Sequence, residues 1–190
     1  MVVIGINLVC YVAAFNFKPG KQQLIYLFSV WLHILAAAVW IGGMVFVALI
    51  LVPVIRQPES QSLAASIVHL TGLRFRSVGW ICLGLLFLTG TFNLLYRGFA
   101  VSELWSGQLW QSGFGVALAL KLLLFGLVLS LSCLHDFVIG PRATALWRAR
   151  PNFPESLRLR RQASWLGRVN LLLALALVAL GVILVRGSPW

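Results

Sequence analysis

The sequence predicts an all-α fold: a polytopic membrane helix bundle of four core transmembrane helices, with a short N-terminal helix and an interfacial helix. Three observations carry that reading. Of the 190 residues, 61% are hydrophobic, and the mean hydropathy is +0.96. Charged residues make up 10% of the chain, against roughly 25% in soluble domains. Apolar runs of about 20 residues, the length that crosses a hydrocarbon core, recur from end to end. A single membrane domain over residues 1–190 leaves no room for a soluble one.

Residues 1–16 (MVVIGINLVCYVAAFN) form a short apolar segment that ends at Lys18-Pro19-Gly20-Lys21. The segment lacks a basic start and a small-residue cleavage site, so a retained helix is expected rather than a signal peptide. The second segment, about residues 24–54, would be about 46 Å long as a helix and must tilt or project. Residues 61–76 carry apolar residues at helical spacing beside Arg74 and Arg76, which predicts a short helix at the interface. The third span is expected at about 78–97, followed by a loop whose Trp105 and Trp110 suit an aromatic belt. The fourth, about 114–139, meets Gly140-Pro141, a helix-stop signal. The fifth is expected at about 166–185.

The formal net charge of +11 invites a nucleic-acid reading, but its distribution argues for a lipid bilayer instead. Seven arginines (Arg142, Arg148, Arg150, Arg158, Arg160, Arg161 and Arg168) crowd one connection against Glu155. Basic residues between apolar segments set topology and meet anionic headgroups. The 140–165 loop is therefore expected in the cytoplasm, with residues 56–77 on the same side and the C-terminus outside. The location implied is the inner (cytoplasmic) membrane. Cys10, Cys82 and Cys133 all lie in apolar runs without a C-x-x-C pair, so neither a disulfide framework nor a zinc ribbon is indicated.

Three segments each offer a polar stripe. His33 shares a helical face with Ala36, Ala37, Trp40 and Met44. Lys121 shares one with Phe125, Val128, Ser132 and His135, and Cys82 aligns with Thr89 and Asn93. An ionisable side chain facing lipid is expensive, so these stripes should face the bundle interior. Counted from the outer ends, His33 lies about 13 Å down its helix and Lys121 about 10 Å, with Asn93 near the outer end of its own. These three are expected to meet in the outer half. His135, about 21 Å along from Lys121, belongs to another level. There Met44, Cys82, Cys133, His135 and His69 form a second group, of ligand types that suit cuprous copper.

Each of these residues also has a plainer reading. His33 could serve as a hydrogen-bonding partner of a neighbouring helix, and Lys121 could snorkel to the headgroups. His135 and Asp136 lie at an expected helix end, where cap contacts are common. Buried cysteines usually pack, and Ala36, Ala37, Gly42 and Gly43 permit close helix approach. They equally leave room for a flat macrocycle beside His33.

The stretch "LHILAAAVWIGGMVF", with a histidine followed seven positions on by Trp and then Gly-Gly, resembles the first core helix of the copper-resistance-D (CopD) family. "LKLLLFGLVLSLSCLHDFVIGPR" is similar to a later helix of its small stand-alone members. The resemblance implies copper handling, with a copper ion moved or accepted across the membrane. His33 would be the central ligand, and Met44, Cys133 or His135 relay ligands. A copper-carrying protein or other membrane subunits would be partners. The same histidine-to-tryptophan spacing resembles the related HemJ family, which is linked to protoporphyrinogen oxidation and haem b. There a membrane histidine and a later lysine would map to His33 and Lys121, with Asn93 nearby in a cofactor site, and the protein would be a haem-dependent oxidoreductase. A third possibility is a non-catalytic accessory subunit of a larger membrane complex. No nucleotide-binding motif is visible, so any transport would be passive or partner-driven.

Overall fold

The computed structural model describes residues 20–96 and 112–186. The expected N-terminal helix at 1–16, Trp105 and Trp110 lie outside them. The described residues form four long helices: α1 (Lys21–Ile55), α2 (Gln61–Tyr96), α3 (Gly113–Ala149) and α4 (Pro154–Arg186). A 3-10 turn at Pro58–Ser60 precedes α2, and Ser112 caps α3 by accepting from the Gly115 N–H at 3.0 Å. Helix α1 packs along α2 and α3 along α4; contacts of α1 with α4, and of α2 with the far end of α3, close the bundle. This is the all-α membrane bundle that the hydropathy predicts.

The helices are 33 to 37 residues long, about 50 Å or more, against a hydrocarbon core of about 30 Å. The excess gathers at the arginine-rich end and corrects two expectations. Residues 61–76 are not a separate interfacial helix but the opening turns of α2, continuous with the span. The basic connection 140–165 is mostly helical too: Gly140–Ala149 completes α3, and α4 begins at Pro154. The physical reason is packing. Ala64, Ala143 and Ser156 are all but fully enclosed within these extensions, so they form a bundle of their own instead of lying flat on lipid.

Gly140-Pro141 fails to stop α3 for a second reason. Proline has no N–H, and in an α-helix its ring collides with the carbonyl four residues back. Ahead of Pro141 the helix widens to a π turn over His135–Ile139, in which the Gly140 N–H donates to the His135 carbonyl. Phe137, whose carbonyl would meet the proline ring, lies inside that turn. Helix α1 repeats the device: a π turn spans Val47–Leu51, the Val52 N–H donates to the Val47 carbonyl, and Pro53 follows. Both helices thereby pass a proline without breaking.

The core is small and lies between the helices. Ala36, Trp40 and Met44 of α1 meet Cys82 and Leu83 of α2, Val128 of α3 and Ala174 of α4. Small residues admit the large ones: a Cβ on Gly79 would lie 3.7 Å from Trp40 Cδ1. Lipid provides no hydrophobic drive between helices, so such close fits hold a membrane bundle together. Tyr26 and Tyr96, stacked with ring centroids 4.4 Å apart, pin the opposite end of α1 to α2.

Candidate functional site

The stripe His33, Ala36, Trp40, Met44 faces inward, with all but His33 buried. His33 Nδ1 lies 2.8 Å from the Thr89 hydroxyl of α2. That hydroxyl has one proton, and it donates it to the Leu85 carbonyl one turn back. Thr89 must then accept, so the neutral imidazole carries its hydrogen on Nδ1 and keeps a lone pair on Nε2. The ring lies against Gly90, where a Cβ would come 3.5 Å from its Cε1.

Lys121 of α3 is close enough to His33 to act on it electrostatically. Its ammonium rests against α4, 3.6 Å from where a Cβ on Gly181 would stand. Asn93 lies one turn beyond Thr89, about 6 Å along α2, with its Oδ1 buried and, among the described residues, without a hydrogen-bond partner. This level therefore holds an imidazole whose Nε2 carries the lone pair, an ammonium and, among the described residues, an unsatisfied amide oxygen.

Toward the arginine-rich end the bundle opens into a cavity of about 770 Å³. Met44, His69, His135, Asp136, Ser132 and Asn170 contribute to its wall. Asn170 Nδ2 donates to Ser132 Oγ at 3.0 Å, leaving its own buried Oδ1 unpartnered. Asp136 ties α2 to α3: Trp80 Nε1 donates to Oδ2 at 3.1 Å, and Arg76 donates to the backbone carbonyl at 3.3 Å. His135 Nδ1 lies 2.9 Å from Asp136 Oδ1. Met44, His69 and His135 thus share the cavity, and Cys82 packs in the core with Met44. Cys133 is exposed and outside the cavity wall. Among the described residues, no three His, Cys, Asp or Glu side chains gather closely enough to hold a metal ion.

Sequence reasoning passed over Asn170 and the anchoring role of Asp136. The signal for Asn170 was available, since it is the one polar residue in the run "VNLLLALALVALGVILV". Trp80 as the partner of Asp136 had no such signal, because that pairing depends on the phase set by the π turn.

Four membrane-length helices around inward-facing His, Lys, Asn and Met residues define a multi-pass membrane protein with a polar interior. The chain belongs to the copper resistance protein D family, which it matches over residues 69–184, and is thereby a membrane protein tied to copper resistance. The match includes Thr89, Lys121 and Asp136 but begins beyond His33. The chain is also 35% identical over 153 residues to an uncharacterized protein of Aquifex aeolicus (strain VF5), covering 80% of this chain and 89% of that one. No solved structure matches it.

Proposed function

We propose that the protein handles copper as its substrate in the cytoplasmic membrane, with the arginine-rich end in the cytoplasm and the C-terminus outside. The observation that carries this reading is the His33 imidazole, oriented by Thr89 so that its Nε2 lone pair is open at the head of the inward stripe ending at Met44. Met44 follows His33 by about 16 Å, and the cavity with His69 and His135 lies beyond it. His33, then Met44, then His69 and His135 offer ligands at successive depths, which suits an ion in transit, because a closed site with several soft ligands would not release it. Copper accumulation in cells expressing the protein tests the reading. His33→Ala should bring accumulation down to the level of cells without the protein. Unchanged accumulation at equal expression would remove the proposal.

One observation favours a second reading. The Lys121 ammonium near His33 opposes a cation there but suits the carboxylate of a haem b propionate. His33 would hold the iron of that haem through its imidazole, and Asn93 Oδ1 would be a nearby acceptor. A haem would supply one-electron chemistry, while these residues would orient it. The absorption spectrum of the purified protein separates the two readings: a Soret band that disappears in His33→Ala supports haem, and a colourless, copper-binding preparation excludes it.

A further inference from the structure

The cavity at the arginine-rich end has a composition that copper handling does not account for. Arg56, Arg76, Arg160, Arg161 and Arg168 all contribute to its wall, and Asp136 is the one carboxylate there. Asp136 is already engaged by Trp80 and His135. Among the described residues, none of these arginines pairs with a carboxylate. The Arg56 and Arg160 guanidiniums are close enough to act on each other. Arg160 is also fixed in place, its Cζ lying 3.7 Å from the centroid of the Trp147 ring. Several arginines bordering one space that holds a single carboxylate among the described residues is an arrangement that an anion relieves.

The rest of the wall is apolar. Trp40, Met44, Leu51 and Leu83 line the cavity's depth, and its volume suits a molecule of moderate size. Its side is informative as well. Arg161, Trp165 and Leu166 of α4 line both this cavity and a shallow groove on the outer face between α3 and α4, where Leu134, Ile139 and Gln162 complete the wall. The cavity therefore adjoins the lipid-facing surface. An occupant arriving by that route comes from the bilayer.

We infer that this cavity binds an anionic phospholipid, its phosphate on Arg56, Arg160 and Arg161 and an acyl chain between Trp40, Met44, Leu51 and Leu83. The site shares Met44 and its cavity with the inner end of the proposed copper path, and its test does not involve copper.

The full chain, purified in a neutral maltoside detergent, is titrated with phosphatidylglycerol or phosphatidylcholine. Retained lipid is read by native mass spectrometry. Phosphatidylglycerol should remain as a one-to-one adduct and phosphatidylcholine should not. Arg160→Gln with Arg161→Gln should weaken the adduct by roughly tenfold or more, given about 1 kcal/mol per basic residue at an anionic headgroup. Inorganic phosphate, which lacks the chain, should not displace the lipid. Gly72→Leu provides a second variant that keeps every arginine: Gly72 lines the cavity, and a Cβ there meets nothing within 4 Å. Its side chain should occupy the space and remove the adduct without loss of helical content. Equal retention of phosphatidylcholine overturns the inference, as does wild-type retention in Gly72→Leu. Displacement by inorganic phosphate would make the site one for free phosphate and equally overturn it. If the double arginine variant does not fold, the Gly72→Leu result decides.

Discussion

His33 Nδ1 and Thr89 Oγ1 lie 2.8 Å apart across the α1–α2 interface, and the Thr89 proton is already committed to the Leu85 carbonyl. One threonine thus sets which nitrogen of the imidazole is open. Thr89→Val keeps the side-chain shape and removes the acceptor, leaving a half-buried N–H unsatisfied. The expected cost is about 1 kcal/mol of stability, together with reduced copper accumulation, while Thr89→Ser retains both properties. Thermal unfolding in detergent and cellular copper content check the pair.

Gly90, next to Thr89 on α2, bounds the same ring. A Cβ there would touch His33 Cε1 at 3.5 Å, whereas one on Gly84 of the same helix meets nothing within 4 Å. Gly90→Leu should displace the imidazole and reproduce the copper phenotype of His33→Ala, and Gly84→Leu should leave it at the wild-type level. Equal phenotypes for the two leucine variants would show that the space beside the ring does not matter.

The charge on Lys121 has a sign that can be tested. Lys121→Met removes a positive charge within range of His33, so a copper ion at Nε2 is repelled less. Copper retained by the purified protein should rise, while Lys121→Arg should hold it near the wild-type level. With haem as the occupant, Lys121→Met instead lowers pigment content. Metal analysis and the visible spectrum of one preparation distinguish these outcomes.

Trp80 and Asp136 join helices separated by 56 positions in sequence, through a 3.1 Å hydrogen bond. A double-mutant cycle with Trp80→Phe and Asp136→Asn should give a coupling energy of about 1 kcal/mol, the scale of interhelical hydrogen bonds in membranes. Additive single effects would mean that the bond does not contribute to stability.

Much of this architecture is legible in the sequence, because the bilayer imposes length and apolarity on every span. The inward stripe of His33, Trp40 and Met44 and the shared level of His33 and Lys121 follow from a constant rise of 1.5 Å per residue. The reading fails where that rise is interrupted or extended. Gly140-Pro141 reads as a stop, but a π turn accommodates the proline and shifts the phase of everything after Ile139. Residues 61–76 read as a surface helix because Arg74 and Arg76 exclude them from lipid, whereas packing within the extended bundle also excludes lipid. Cys133 reads as a companion of His135 because both fall at one depth and both suit copper, yet it is exposed while His135 lines the cavity.

The paired π turns determine where the protein is hollow. Helices α1 and α3 stand diagonally in the bundle, and the turns at Val47–Leu51 and His135–Ile139 both contribute residues to the cavity wall. The chamber is thus bordered by two stretches of widened main chain, each just ahead of a proline, Pro53 or Pro141. Restoring both amide hydrogens by exchanging the prolines for alanine lets each ladder tighten by one residue, which rotates every later side chain on that helix and draws the walls inward.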